Sequence, residues 1–302
     1  MTSTAVKTTA YDIILFYKYV SIRDPKNVRN GQYELCKRFG LRGRIIVGKE
    51  GINGTLEGTR SSIARYIREI RKDRRFSGIV FKHSTGTGDA FGRLSVKVRE
   101  EIVTLGVPVT HKRNGTYISP AELRSLFRKK ENMIILDVRN KYETKAGYFQ
   151  DSICPDISNF REIPKLAENL HEYKEKKIVM VCTGGIRCEK ASRLFRQRGY
   201  KNIYQLEGGI ATYIKKYPGQ DFLGSLYVFD NRILTRAEGG KHTVVGTCAS
   251  CGKASERYTN CAYDPCHAHF ICCEMCEEQH NGYCSRKCRH KSLIKNGTES
   301  IL

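Results

Sequence analysis

The sequence predicts a mixed α/β chain in three parts: an α+β domain, an α/β domain with a parallel sheet, and a small cysteine-rich metal-binding module. Three observations predict it. Strand and helix signals alternate over residues 11–106, apolar runs alternate with helical stretches over residues 111–220, and nine of the 13 cysteines fall between Cys248 and Cys288. At 302 residues the chain is long enough for two or three ordinary domains.

In the first domain, Ile13-Ile14-Leu15-Phe16-Tyr17 reads as a buried strand within residues 11–20. Residues 33–39 read as a helix ending at Gly40. Residues 44–47 form a second strand, and Gly51-Ile52-Asn53-Gly54 looks like a turn into a third at 55–57. That turn is either a tight glycine hairpin or a backbone surface for a nucleotide. Ser61 and Ser62 are candidate caps for a helix to Arg71, with Ile63, Tyr66, Ile67 and Ile70 on one face. A last strand spans 94–98. The order β-α-β-β-α-β is that of a ferredoxin-like, acylphosphatase-like sandwich, a fold that carries many functions and decides none.

The second domain contains Ile134-Ile135-Leu136-Asp137-Val138 and Ile178-Val179-Met180-Val181, continuous runs suited to parallel strands covered on both faces. Helical stretches at 120–129 and 188–198 alternate with them, which makes an α/β domain. The third part, residues 227–291, shows little periodicity, and the tail from residue 292 is expected to be disordered.

Lys and Arg number 53 against 31 Asp and Glu, a net charge of +22. Such a surplus favours a polyanionic partner, because cations that neutralise phosphates release condensed counterions; the plainer alternative is a solubilising surface. Arg65, Arg68, Arg71, Lys72, Arg74 and Arg75 form a dense basic run on and after a helix. It is either a solvated face or a phosphate contact, and five arginines in eleven residues favour the contact. The first ten residues lack the order of a signal peptide, and no apolar run is long enough for a membrane span. A cytoplasmic chain is expected, which excludes a secreted disulfide scaffold and turns the cysteines toward metal.

Their spacing is Cys248-x2-Cys251-x9-Cys261-x4-Cys266-x6-Cys273-x2-Cys276-x7-Cys284-x3-Cys288. Four close pairs supply eight thiolates, enough for two tetrahedral zinc ions, because a short turn aims two sulfurs at one ion. Pairing in sequence or interleaved is equally compatible with the spacing, and an iron–sulfur centre is a lesser alternative. Cys272 is the odd member, and His267, His269, His280 and His290 are possible substitutes. With little apolar surface, this module would draw its folding energy from metal.

The sharpest chemical signal is Cys182-Thr183-Gly184-Gly185-Ile186-Arg187. A strand feeds Cys182, and a helix follows, so backbone N–H groups point into the loop. The two glycines keep side chains out of that hollow. The helix start and Arg187 favour the thiolate, the form that attacks sulfur or carbon. Four residues separate Cys182 from Arg187, where cysteine phosphatases use five; the tighter ring suits a persulfide sulfur. Cys188 is either a resolving thiol or an ordinary small packing residue.

Together with Asp137-Val138-Arg139-Asn140, Tyr142-Glu143, Gly147 and the later Leu206-Glu207-Gly208-Gly209-Ile210, this loop resembles a rhodanese domain. By that resemblance Cys182 carries a persulfide, and Asp137 and Arg139 sit beside it at the end of the central strand. The usual Gly-His appears as Gly147-Tyr148. The extended stretch from Val181 through Cys188-Glu189-Lys190-Ala191-Ser192 is similar to the TrhO-type tRNA uridine hydroxylases. Gly48-Lys49-Glu50-Gly51-Ile52-Asn53-Gly54, Lys97-Val98-Arg99-Glu100-Glu101-Ile102-Val103 and Phe160-Arg161-Glu162 carry the same likeness across nearly the whole chain. The resemblance implies oxygen-dependent 5-hydroxylation of the wobble uridine of tRNA, with molecular oxygen as co-substrate and tRNA as partner. No flavin, haem or two-His-one-carboxylate signature identifies an organic or iron cofactor. A plain sulfurtransferase and a non-catalytic RNA- or protein-binding scaffold are the competing functions.

Overall fold

A computed structural model describes residues 10–110 and 113–295. The segments 1–9, 111–112 and 296–302 lie outside it, and with them most of the expected polar N-terminal tail and most of the expected disordered C-terminal one. The chain divides into two compact units. Residues up to Pro108 together with Phe229–Arg232 form the first, and Val109–Val228 with the chain from Ile233 onward the second.

The first unit begins with β1 (Tyr11–Tyr19), whose apolar run is covered on both faces: Ile14 and Phe16 enter the main core and Ile13 packs with Ala90 and Phe91. Helix α1 (Pro25–Arg38) starts eight residues earlier than its periodicity suggests. Asp24 accepts from the Asn27 N–H at 3.1 Å, and Pro25 occupies the first turn, so the start is set by capping. Strands β2 (Arg42–Gly48) and β3 (Gly51–Thr59) form a hairpin turning on Lys49 and Glu50. Gly51-Ile52-Asn53-Gly54 is therefore strand, not turn. Gly54 lies opposite Phe16, whose ring would stand 2.6 Å from an added Cβ. Helix α2 (Arg60–Ile70) is capped by Thr59, which accepts from the Ser62 N–H at 3.2 Å; Ser61 and Ser62 do not cap it. It buries Ile63, Tyr66 and Ile70 against Phe16, Val47, Ile52 and Leu56.

Strands β4 (Val80–Gly86) and β5 (Leu94–Val98) complete a sheet of order β4-β1-β3-β2-β5. The ferredoxin-like order holds, but its fourth strand is β4, and β5 is an addition running parallel to β2. Strand β4 has no fully buried residue, which is why its sequence gives no apolar alternation. The carboxylate of Glu57 accepts from the N–H groups of Thr87, Gly88 and Ala90, holding the chain between β4 and β5.

The second unit carries β6 (Thr116–Ile118), α3 (Pro120–Arg128), β7 (Ile134–Asp137), α4 (Lys141–Thr144), β8 (Gly147–Phe149), α5 (Ile163–Asn169), β9 (Lys177–Val181), α6 (Ile186–Gln197), β10 (Asn202–Leu206) and α7 (Gly209–Lys216). The sheet β6-β10-β9-β7 is parallel throughout, as continuous apolar runs require. Ile135, Val179, Val181, Leu206 and Ile210 share its core. Short pairs follow: β11 (Phe222–Gly224) on β8, β12 (Leu226–Tyr227) on β13 (Leu234–Thr235), and β14 (Tyr258–Asn260) on β15 (His269–Ile271). The chain then forms α8 (Glu274–Gln279) and α9 (Arg286–Lys295). Residues 292–295 are thus helical, where the sequence suggests the start of a disordered tail. An aromatic cluster of Tyr142, Tyr227, Tyr258 and His269 joins the cysteine-rich segment to α4. The Tyr258 hydroxyl donates to the Tyr142 carbonyl, so that segment braces the helix bearing Glu143.

Candidate active site and candidate metal centres

Strand β9 ends at Val181, and α6 begins four residues after Cys182. Gly185 fills the cap position at φ +98°, a left-handed conformation that glycine adopts without strain. Its N–H donates to Cys182 Sγ at 3.1 Å, and the N–H groups of Arg187 and Cys188 also serve that sulfur. Cys182 is fully buried. Burial pushes its thiol up, but a hydrogen bond from the Cys188 thiol, the Arg187 guanidinium and these N–H groups outweigh it. Together they bring it down from 9.0 to about 6. Cys182 is therefore a thiolate at neutral pH. Cys188, buried and facing that charge, is pushed well up and keeps its proton.

Arg187 makes a two-pronged ion pair with Glu143 at 2.5 and 2.7 Å. The Thr183 hydroxyl completes the group, donating to Glu143 at 3.3 Å. Burial would raise the Glu143 carboxyl, but Arg187, Arg139 and the Asn140 N–H hold it below the usual range. Asp137 and Arg139 form a second, fully buried pair at 2.7 Å, and Arg139 also donates to the Gly147 carbonyl at 2.6 Å. The structure thus brings together Cys182, Thr183, Gly184, Gly185, Ile186, Arg187 and Cys188, with Asp137 and Arg139 in the adjoining buried layer. The chemistry available is nucleophilic attack by a thiolate whose countercation is locked in direction.

Two residues of this site escape the sequence analysis as functional groups. Asn140-x-x-Glu143 is a capping box, a purely local signal, yet Glu143 also anchors Arg187. Gly209, at φ +70°, packs against the sulfur loop so closely that a Cβ would meet the Cys182 carbonyl at 2.6 Å and the Gly185 nitrogen at 2.7 Å. The next two N–H groups, of Ile210 and Ala211, donate to the carbonyls of Cys182 and Thr183 at 3.0 Å each. The Leu206–Ile210 motif is therefore the loop's backing plate.

The members of the basic run differ in their partners within the chain. Arg75 pairs with Asp73 at 2.6 Å, Lys72 with Glu69 at 2.8 Å, and Arg71 lies over the Phe81 ring at 5.5 Å. Arg65, Arg68 and Arg74 project from the surface of the first unit.

The eight cysteines form two groups of four: Cys248, Cys251, Cys273 and Cys276, then Cys261, Cys266, Cys284 and Cys288. The pairs interleave, first with third and second with fourth. Within each group the sulfurs lie within 4.8 Å of one another, and Cys251–Cys273, Cys266–Cys284 and Cys284–Cys288 are 3.8, 3.6 and 3.6 Å apart. A tetrahedral ion with metal–sulfur bonds of about 2.3 Å sets its sulfurs about 3.8 Å apart, so the donor sets fit a metal ion each. Cys272 and the four nearby histidines belong to neither group. His269 instead stacks on Tyr258 at 4.8 Å.

Family comparisons agree with this anatomy. Residues 11–102 match the model of a UPF0176 acylphosphatase-like domain, 119–216 that of a rhodanese-like domain, and 223–289 that of a rhodanese C-terminal segment. A curated tRNA uridine(34) hydroxylase of Aster yellows witches'-broom phytoplasma is 41% identical over 94% of this chain and 94% of its own. Those of Cytophaga hutchinsonii and Bacillus licheniformis are 38% and 40% identical over 92% of this chain and 90% and 88% of theirs. With relatives at this identity along nearly its whole length, the chain belongs to the tRNA uridine(34) hydroxylase family.

Proposed function

We propose that the chain is a cytoplasmic enzyme that hydroxylates C5 of the wobble uridine in tRNA, with Cys182 as nucleophile and Arg187 as its supporting cation. The observation that carries this reading is a Cys182 thiol lowered to about 6 in a chain so similar to named uridine(34) hydroxylases. A thiolate that adds to C6 of a uracil ring raises electron density at C5, the carbon that receives oxygen. Molecular oxygen is the co-substrate in this reading, and Asp137 and Arg139 are positioning residues behind the loop. Arg65, Arg68 and Arg74 are the basic-run members assigned to tRNA phosphates. The two cysteine groups hold zinc, which folds the segment around them and supplies no step of the reaction.

A sulfurtransferase is the second reading, favoured by the tight ring between Cys182 and Arg187, which suits a persulfide. Mass spectrometry of tRNA nucleosides from cells lacking the activity, with and without this chain, separates the two. Restored 5-hydroxyuridine supports the hydroxylase, and a thiolated nucleoside with unchanged 5-hydroxyuridine would replace it.

A further inference from the structure

Cys188 helps to hold Cys182 as a thiolate, and the fold thereby places a second thiol on the reactive sulfur. Cys188 is the third residue of α6, and five residues separate it from Cys182. Both side chains are buried, its thiol hydrogen-bonds the Cys182 sulfur, and its N–H is directed there as well. Cys154, at the same sheet edge, is half-buried and turned to Ser152 at 3.4 Å.

We propose that Cys182 and Cys188 form a redox couple, in which Cys188 resolves an oxidised Cys182 as an intramolecular disulfide and so protects the site reversibly. The oxidant is a hydroperoxide. The Cys182 thiolate attacks its terminal oxygen, the S–O bond forms as the O–O bond breaks, and the hydroxide or alkoxide that leaves takes a proton from solvent, so sulfur loses two electrons. Cys182 is then a sulfenic acid and an electrophile. The Cys188 sulfur attacks it, the S–S bond forms, and the S–O bond breaks. The departing hydroxide takes the Cys188 proton as water. Cys188 is well placed for this because its thiol already hydrogen-bonds the Cys182 sulfur. The couple rests on Cys182 being a reactive thiolate, but not on the identity of the modified base.

The test uses the full-length, metal-loaded, reduced protein and hydrogen peroxide near stoichiometry, followed by peptide mapping. The wild type is expected to lose about 2 Da, yield a Cys182–Cys188 linked peptide, and recover its Cys182 thiol with dithiothreitol. Cys188→Ser, which keeps a hydrogen-bond donor, is expected to accumulate sulfenic acid trapped by dimedone. With more peroxide it should gain about 32 Da as sulfinic acid, with dithiol recovery of Cys182 falling about tenfold or more. Equal recovery in both proteins, or a disulfide from Cys182 to any other cysteine, overturns the proposal. Iodoacetamide labelling of the reduced protein at pH 7 separates the causes. If Cys182 labels rapidly but no disulfide forms, only the couple fails; if Cys182 does not label, the nucleophile itself is wrong and both readings fall.

Discussion

Replacing Arg187 by Met removes the cation beside Cys182 and leaves a side chain of similar length. An opposite charge this close lowers an ionisable group by about 1–3 units, so the Cys182 midpoint should rise from about 6 to about 7–9. For a rise of about two units, the thiolate fraction at pH 7 falls from about 90% to about 10%. A more basic thiolate is a better nucleophile, by about eightfold over two units at a Brønsted slope of about 0.45. The two effects nearly cancel at pH 7, so a rate at one pH is almost blind to the change. The assay must be the full pH profile of Cys182 alkylation, followed by peptide mapping because 12 other cysteines are present. Arg187→Met also strands the Glu143 carboxylate, and a buried charge without its partner costs about 3–5 kcal/mol. Adding Glu143→Gln should return most of that stability while the midpoint stays high. Arg187→Lys should keep the midpoint near 6 yet melt lower, because an ammonium cannot reproduce the two-pronged pair. A midpoint near 6 in folded Arg187→Met would instead leave the loop N–H groups and Cys188 as sole cause of the acidity.

Freshly prepared reduced protein should contain about two zinc ions per chain, and Cys276→Ser should lose the ion of its own group; elemental analysis finding no metal removes the assignment. Gly209→Ala should raise the Cys182 midpoint and reduce hydroxylation severely, since its Cβ occupies the space of the loop backbone; a variant with both unchanged would show that the loop tolerates the displacement. Affinity for tRNA should fall steeply with salt, and Arg65, Arg68 and Arg74 changed together to Glu should flatten the log–log slope by about 2–3, at about 0.7–0.9 per phosphate. An unchanged slope in a filter-binding titration moves the contact elsewhere.

What the sequence reveals of this site follows from the range of each interaction. The sulfur loop is legible because Cys182, Gly184, Gly185 and Arg187 act within one strand-to-helix turn, and the parallel strands because burial on both faces leaves an unbroken apolar run. Glu143 is hidden because its local capping role accounts for it before its contact with Arg187, 44 residues on, comes into view. Gly209 is hidden for a related reason: its close approach to Cys182 spans two βα units. Strand β4 lies at a sheet edge without a buried side chain, so no alternation marks it. Spacing identified the eight thiolates but carried no information on interleaving, which depends on where β14, β15 and α8 bring the pairs.

If the Cys182 thiolate performs uridine hydroxylation, Cys182→Ser abolishes it. Serine preserves size and the loop hydrogen bonds but is a poor nucleophile at neutral pH. Wobble-position nucleosides from cells lacking the activity are measured after supplying either form of the chain. 5-Hydroxyuridine is expected to be restored by the wild type and to be absent with Cys182→Ser at equal protein level. Restoration by both forms would contradict that role of Cys182.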